Sequence, residues 1–266
     1  MNNLMTNVRL TYQNGKKYLP LLKNLISREL KKKYRTSVLG YAWCVLNPLL
    51  MMVIMTVVFS RMFSNSIQNF PVYMFCGRMI YSFVTGGADS IMRSLQTNGS
   101  LMRKTRVPYY IFPLASFSSA FVNLLFTLIA FALVLLFTWT PISYHIIAFP
   151  VVVAQMSLFT LGFGLILAIA NVYIRDTHYM YAVFNVAWMY LTPLFYPLEA
   201  LSETMQFLIR TFNPLYGYIA QTRSIFLDYT WPDGNLMLIG FAWGFVFMLL
   251  GLFAYQKGKN SIILYV

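Results

Sequence analysis

A basic cluster that leads directly into a long apolar segment constrains this chain more than any other feature. Residues 28–35 (RELKKKYR) carry five Lys and Arg side chains, and residues 38–63, which follow, are predominantly apolar. Hydrophobic residues make up 59% of the chain and charged residues 10%, whereas soluble domains have roughly 45–50% and roughly 25%. Because a soluble fold of 266 residues could not bury so much apolar surface, we predict an integral membrane protein.

Six segments of the chain are long and apolar enough to cross a membrane as helices. A helix rises about 1.5 Å per residue and the hydrocarbon core is about 30 Å thick, so about 20 residues suffice. We predict an all-α membrane protein in which residues 1–37 form a cytoplasmic amphipathic interface helix and residues 38–266 form a single six-helix transmembrane domain. The predicted spans are residues 38–63, 72–92, 109–137, 146–173, 179–195 and 236–255.

The distribution of Lys and Arg predicts the orientation of these spans. All of the 20 Lys and Arg residues fall in segments on one side of the membrane, except Arg61, Arg78, Arg210 and Arg223. Because cytoplasmic loops carry an excess of Lys and Arg, both termini are predicted to be cytoplasmic. The net charge of +13 reflects this bias and not nucleic-acid binding, since the charges lie at the ends of apolar segments.

Two regions outside the predicted spans have apolar residues at helical spacing. In the first, Leu22, Leu25 and Ile26 lie on one face of a basic helix that is expected to lie along the membrane surface. The second, residues 197–235, is too long for a turn and too polar to cross. Asn213 and Pro214 there are typical of an N-cap followed by a first-turn proline. Two short helices are predicted, which either re-enter the outer leaflet beside a pathway or rest on the outer surface.

The sequence lacks the motifs of catalysis and metal binding. It contains no G-x-x-x-x-G-K-[ST] loop, no H-E-x-x-H motif and no cysteine cluster. Asp89 is the one acidic residue within a predicted span, and Arg93 follows it at the i+4 position, where the two can pair. We therefore predict no catalytic residue, no metal site and no cofactor in this chain. Ion-coupled transport is disfavoured, because it needs buried ionisable groups.

The basic segment between the second and third spans is a candidate contact for a soluble partner. Asn98 and Gly99 predict a turn, and residues 100–106 predict a short helix before Pro108. A short helix held between two spans could transmit force from a partner to the membrane domain, although a solvated basic loop would have the same composition. The candidate coupling residues are Leu101, Met102, Arg103, Lys104 and Thr105.

A tight inner turn and a run of small residues predict how the fourth and fifth spans are held. Arg175 is expected to anchor the turn to lipid headgroups, and Asp176 is expected to cap the fifth span. Gly162, Gly164 and Ala168 lie along the fourth span, and such spacing allows helices to approach closely.

Aromatic residues are concentrated in the outer halves of the second and fifth spans. Aromatic rings stack on the C–H faces of sugars, so these residues are candidates for lining a glycan channel. Each of them could equally belong to an interfacial belt or to the core. The candidate channel aromatics are Tyr73, Phe75, Tyr81, Tyr190, Phe195 and Tyr196.

Five short motifs, in order along nearly the whole chain, are similar to those of one family. They are L-G-x-x-W at residues 39–43 with Pro48, N-x-x-L-x-x-K at residues 98–104 with Pro108 and Pro113, N-V-x-x-R-D at residues 171–176, T-P-x-F-Y-P at residues 192–197, and N-P-L-Y at residues 213–216. Together with six spans, they resemble the membrane subunit of type-2 ABC exporters for polysaccharides, O-antigen and teichoic acids.

This resemblance implies a partner for the chain and a substrate. It implies a homodimer that binds two copies of a separate ABC ATPase, which would hold ATP and Mg²⁺. It also implies export of a polymer linked to a polyprenyl pyrophosphate lipid across the bacterial cytoplasmic membrane, with the basic N-terminal helix and the helix after the second span resting on the ATPase. The alternative is a type-2 ABC exporter of drugs or other small amphiphiles, which shares this architecture.

The basic cluster has two interpretations under this resemblance. Its charges could attract the pyrophosphate headgroup of the substrate, at about 1 kcal/mol per charge near an anionic surface. They could also serve only to fix the topology. The residues concerned are Arg28, Lys31, Lys32, Lys33 and Arg35.

Overall fold

The computed structural model describes residues 18–32, 37–63, 67, 69–104, 107–259 and 262, with only the backbone described for residues 61–63. Within these residues every regular element is a helix and no strand occurs. The all-α fold class is therefore confirmed.

The described chain forms ten α-helices in sequence. They are α1 (residues 18–32), α2 (Trp43–Phe63), α3 (Phe70–Thr97), α4 (Gly99–Lys104), α5 (Ile111–Phe137), α6 (Phe149–Tyr173), α7 (Thr177–Leu191), α8 (Glu203–Phe212), α9 (Pro214–Phe226) and α10 (Gly234–Gly258). Short 3-10 helices precede α2 (Gly40–Ala42), α6 (Tyr144–Ala148) and α8 (Leu198–Ala200).

Four described segments are both long and apolar enough to span a membrane: Gly40–Ser60, Ile111–Phe137, Tyr144–Tyr173 and Gly234–Gly258. Helix α3 has 28 residues but carries Arg78, Asp89 and Arg93, and α7 has only 15 residues. A total of six spans requires α3 and α7 to cross the membrane as well, and that crossing remains a prediction.

Helix boundaries follow the local chemistry of the chain. Asn69, with φ of 53°, precedes α3 in the left-handed conformation that Asn tolerates, and Pro71 occupies the first turn. The Asn69 side-chain amide donates to the Thr140 hydroxyl at 2.6 Å, which joins the loop before α3 to the loop after α5. At α9 the Asn213 side chain accepts from the Leu215 amide at 3.1 Å, as the N-cap prediction required.

Two predicted features near α7 are wrong in detail. The fifth span was expected to continue to residue 195, but α7 ends at Leu191 because Thr192 adopts an extended conformation before Pro193. Asp176 occupies the N-cap position but makes no capping hydrogen bond with its side chain. The Thr177 hydroxyl instead donates to the Ile174 carbonyl at 2.7 Å and closes this turn.

The outer segment also differs from the sequence pattern. Its first predicted helix is split into the 3-10 helix and α8, and α8 buries only Ile209 among its own residues. Helix α9, in contrast, is largely buried and packs against α3, α6 and α10. At about 15 Å and about 20 Å, neither α8 nor α9 is long enough to span the membrane alone.

Helix α3 lies at the centre of the fold. It packs against α5 and α6, and also contacts α9 and α7. Aromatic side chains fill this core: Phe75 stacks on Phe131 with 5.3 Å between ring centroids, and Phe131 meets Phe226 edge-on at 4.8 Å.

Helices α6 and α10 form the closest helix pair. A methyl group added at Gly162 would overlap the backbone of α10 at Phe247 and Met248, and one added at Gly251 would overlap the backbone at Gly162. Gly164 lies against Ile91 of α3, where an added methyl would approach the Ile91 side chain to 2.7 Å. The predicted packing through small residues of the fourth span is confirmed.

A second hydrophobic cluster holds α1 on the ends of other helices. Leu25 is buried together with Met102 of α4, Ile111 of α5 and Ile169 of α6. The apolar face of α1 therefore packs on other helices of the chain, and its position along the membrane surface stays a prediction.

Candidate functional site

A cleft with a cavity volume of about 230 Å³ lies between α2, α3 and α5. Trp43, Asn47 and Pro48 line it from α2, and Asn123 and Thr127 line it from α5. Pro48 lies inside α2, where a proline removes one backbone hydrogen bond and permits a bend. The same residues that begin the first apolar segment thus form one wall of the cleft.

Helix α3 supplies the opposite wall and its charge. Arg78 lines the cleft together with Ser82, Gly86 and Ser90. The described contacts of the Arg78 guanidinium are the Met189 sulfur at 3.9 Å and the Tyr81 ring, whose centroid is 6.0 Å away. The cleft therefore contains one cation and several neutral hydrogen-bonding groups.

The structure does not bring the six candidate channel aromatics together on one surface. Phe75 lines the cleft but is buried against Phe131. Tyr81 is buried, and its hydroxyl donates to the Asn185 carbonyl at 2.6 Å. Phe195 is also buried and stacks on Phe59 of α2 at 5.3 Å. Within a single chain, these three residues belong to the core, which was one of the alternatives to a channel lining.

The other three candidates lie near the end of α7. Tyr190 is exposed on α7, and Tyr196 donates to its carbonyl at 2.7 Å. The Tyr73 hydroxyl donates to the Tyr196 carbonyl at 2.9 Å. These contacts link residues 192–197 to α3 and leave Tyr190 as the aromatic group best placed to meet something outside the chain.

Arg223 of α9 is a second partly buried cation, and its partners are an aromatic ring and a carbonyl. Its guanidinium carbon lies 3.4 Å from the centroid of the Tyr73 ring, and it donates to the Leu194 carbonyl at 3.2 Å. A methyl group added at Gly77 would come within 3.1 Å of the same guanidinium. Arg223 therefore fastens α9 to α3 and to the segment after α7.

The inner end of the molecule joins α1 to α4 through polar contacts. Arg28 donates to the side-chain oxygen of Asn98, the residue immediately before α4, and the Asn98 amide donates to the Ser94 carbonyl of α3 at 2.7 Å. The Ser116 hydroxyl donates to Glu29 at 2.8 Å. Burial raises the pKa of the Glu29 carboxyl above its usual value, and the hydrogen bond from Ser116 acts against that rise.

The predicted coupling residues divide by face. Met102 is buried in the cluster with Leu25, and Leu101 packs against it. Arg103 and Lys104 are exposed on α4. Thr105 lies outside the described residues.

The remaining basic candidates are placed as follows. Lys31 and Lys32 are exposed on α1, while Lys33 and Arg35 lie outside the described residues. Arg28, which was a candidate for a headgroup contact, instead bonds to Asn98. Arg175 and Asp176 are exposed on the turn between α6 and α7.

Two features of the site were missed at the level of sequence. Arg78 was treated only as an exception to the charge bias, although a cation within an apolar helix is itself a signal of function. The link between Arg28 and Asn98 joins residues 70 positions apart, and no pattern in one sequence pairs such residues. Over the described chain, no group of three His, Cys, Asp or Glu residues could hold a metal ion.

The ABC-2 type transporter family model matches residues 20–227, which include α2 to α9 and nearly all of α1. The chain belongs to this family. The predicted resemblance is confirmed, and with several long apolar helices the chain is a multi-pass membrane protein.

Three curated relatives are similar to this ABC-2 chain over most of its length. The O-antigen export system permease protein RfbA of Myxococcus xanthus is 30% identical over 87% of this chain and 88% of the relative. A protein of the same name from Klebsiella pneumoniae is 27% identical over 95% and 96%. The capsule polysaccharide export inner-membrane protein CtrC of Neisseria meningitidis is 22% identical over 73% and 74%.

Proposed function

We propose that this chain is the membrane permease subunit of an ABC transporter that exports a lipid-linked polysaccharide or teichoic-acid-type polymer across the bacterial cytoplasmic membrane. The observation that carries this proposal is the match, over most of both chains, to relatives named as O-antigen export permeases. Export of drugs or small amphiphiles is not favoured by these relatives. ATP and Mg²⁺ would be bound by a separate ATPase subunit, and this chain would carry no cofactor.

The proposed topology has six spans, with both termini in the cytoplasm. Helix α3 is about 42 Å long and runs between α5 and α6, which are long enough to cross. Helix α7 would cross together with the non-helical residues 192–197, where Leu194 and Phe195 are buried. Helices α8 and α9 would form the re-entrant pair at the outer end, which the burial of α9 supports.

The proposed assembly is a homodimer with two ATPase subunits. In a single chain, α2 and α7 expose broad apolar faces, including Val57 and Val183. Large exposed apolar patches mark interaction surfaces with protein or lipid. We place the second copy on this side, so that relative movement of α2 and α7 of the two copies would open a path beside the cleft. Tyr190 would then face the path, as the channel prediction requires.

The proposed coupling route runs through the inner end. Binding of ATP can shift the membrane domain only if the ATPase contacts its two states differently. Exposed Arg103 and Lys104 of α4 would make that contact, and the bond from Arg28 to Asn98 would move α1 together with α4. Lys31 and Lys32 would face the ATPase or the pyrophosphate of a polyprenyl-linked substrate.

The experiment that tests the function is deletion of the gene, followed by complementation. Loss of surface polymer with intracellular accumulation, reversed by this chain, is the expected result. Intact surface polymer together with increased sensitivity to amphiphilic drugs would contradict the proposal and favour the small-amphiphile alternative.

The coupling route is tested with the double variant Arg103→Ala/Lys104→Ala. We expect it to assemble with the ATPase but to export polymer at least about tenfold more slowly, as expected when two charge-assisted contacts are lost. The matched control is Arg210→Ala, an exposed cation on α8. Export at the wild-type rate by the double variant would reject this route.

A further inference from the structure

We infer that Arg78 is a binding site for a phosphate-type anion within the membrane, reached through the cleft between α2, α3 and α5. The inference deepens the proposed function and rests on it, because the anion would be the phosphate or pyrophosphate group of a lipid-linked substrate in transit. It assigns to the cleft a ligand class that neither the family match nor the names of the relatives specify.

Arg78 lies within α3, away from both ends of the helix. It is eight residues after the first residue of α3, or about 12 Å from that end of a helix that is about 42 Å long. At this position the guanidinium cannot reach either end of the helix, so its environment is set by the cleft. An arginine held within a membrane domain is a candidate functional group by default.

No carboxylate neutralises Arg78. Between described residues the one salt bridge joins Asp89 to Arg93, with a distance of 3.0 Å. Asp89 is 11 residues further along α3, about 16 Å away along the axis. The remaining acids of the sequence lie outside the predicted spans: Glu29, Asp176, Glu199, Glu203, Asp228 and Asp233.

The described partners of Arg78 are weak. A guanidinium has five N–H donors, and a thioether sulfur is a poor acceptor. The Tyr81 ring, at 6.0 Å from the guanidinium carbon, is at the limit of a cation–π contact. Asn47, Asn123 and Thr127 line the same cleft and can donate to an anion as well. One cation, neutral donors and no acid form a site of anion-binding character.

Comparison with Arg223 argues against a purely structural role for Arg78. Arg223 has an aromatic ring at 3.4 Å and a carbonyl at 3.2 Å, and its contacts fasten three segments together. Arg78 follows Gly77, the residue of α3 against which Arg223 lies, but Arg78 lines an open cleft. We would expect an arginine with a purely structural role to have close partners, as Arg223 does.

The chemistry of export gives such a site a purpose. Moving a phosphate-type anion through a hydrocarbon core carries a large desolvation penalty. Arginine pairs with phosphate in a bidentate geometry. A cation partway along the route, partnered weakly enough to exchange ligands, lowers this barrier without trapping the substrate, as binding sites in channels do.

The test uses the complete permease–ATPase complex in nanodiscs of zwitterionic phosphatidylcholine. The probe is farnesyl pyrophosphate, and farnesol is its uncharged counterpart. We expect Arg78→Gln to weaken binding of farnesyl pyrophosphate at least about tenfold, the effect of losing one charge-assisted contact, and to leave binding of farnesol unchanged. Arg78→Lys should be intermediate, and the control Arg210→Gln should bind as wild type.

Competition identifies the source of the anion. Displacement by inorganic pyrophosphate as strong as that by farnesyl pyrophosphate would assign the site to a soluble anion, and displacement by phosphatidylglycerol would assign it to any anionic lipid headgroup. Both results support an anion site if they depend on Arg78. Equal affinity of wild type and Arg78→Gln, in variants that assemble normally with the ATPase, would overturn the inference.

Export in cells separates this inference from the proposed function. If wild type restores surface polymer and Arg78→Gln restores it equally well with unchanged binding of the probe, the inference fails and the function stands. If wild type restores no polymer, the proposed function fails, and the binding data still decide whether Arg78 holds an anion.

Discussion

Helices α6 and α2 are both long and apolar, yet they are packed very differently. In the most apolar 18-residue window of each, 56% of the residues are buried for the segment that contains α6 and 6% for the segment that contains α2. Helix α6 lies between α3 and α10, with Gly162 against the backbone of α10. Helix α2 contacts α3 and α5 along one side and exposes Val53, Ile54 and Val57 on the other.

The difference shows that small residues, more than apolarity, determine which helices form the fixed part of this molecule. Within Trp43–Phe63 there is no glycine or alanine, whereas α6 and α10 contribute glycines at their contact. Without a hydrophobic drive between helices in lipid, close approach depends on such small residues. We therefore regard α3, α5, α6, α9 and α10 as the static part and the side with α2 and α7 as the loosely packed part, where the proposed second copy would lie.

The largest expected effect comes from filling the contact in the static part. Gly162→Ala places a methyl group on the backbone of α10, so we expect the free energy of unfolding to fall by about 3 kcal/mol. Gly162→Leu should prevent folding. The measurement is the melting temperature of the detergent-purified protein by fluorescence-detected size exclusion.

The matched control for this prediction is Gly86→Ala. Gly86 lines the cleft, and an added methyl would meet nothing within 4 Å. The substitution should leave stability unchanged or raise it by up to about 1 kcal/mol, because alanine is the better helix former. Equal losses at the two positions would contradict the claim that the backbone contact at Gly162 fixes α6 to α10.

An intermediate effect is expected at the boundary between the two parts, where Arg223 holds α9 to the segment after α7. Arg223→Lys loses the planar stacking on Tyr73, which should lower the free energy of unfolding by about 2 kcal/mol. Cys76 is buried beside this arginine. In a Cys44→Ser background, we therefore expect Arg223→Lys to make the Cys76 thiol reactive towards maleimide. The control Arg210→Lys should leave Cys76 protected.

The smallest effect concerns the attachment of α1 to the static part. Burial raises the pKa of Glu29, so the folded state holds this proton more tightly than the unfolded state does. The resulting stability is complete below the usual pKa of a glutamate and is lost as the pH rises through the raised value. Glu29→Gln should keep the bond from Ser116 and remove this pH dependence, which begins as the pH rises above the usual pKa of a glutamate. Protection of α1 from proteolysis across that range measures the effect.

The sequence predicted those parts of the fold that depend on local chemistry. The Asn213 cap, the helix after Asn98 and the glycine packing of α6 all follow from residue type and spacing. The end of α7 was predicted too late, because the prediction gave more weight to the apolar residues after Pro193 than to the extended conformation that a proline favours in the residue before it, Thr192.

The candidate site was less predictable, since it depends on which helices are neighbours. Tyr81 and Phe195 looked like channel residues because aromatic character does not reveal burial, yet both are packed within the chain. Arg28 was a candidate headgroup ligand in the sequence, whereas in the structure its guanidinium donates to Asn98. Arg78 was visible in the sequence, but only the cleft beside it distinguishes it from Arg223.

The central claim, that the side of α2 faces a second copy and the side of α10 does not, is tested most directly by photo-crosslinking in native membranes. The photoreactive amino acid p-benzoylphenylalanine is placed at Val57 of α2 or at Leu249 of α10, which are similarly exposed at 70% and 66%. We expect a crosslinked dimer of this chain from position 57 and none from position 249. A dimer formed from position 249, with position 57 remaining monomeric, would contradict it.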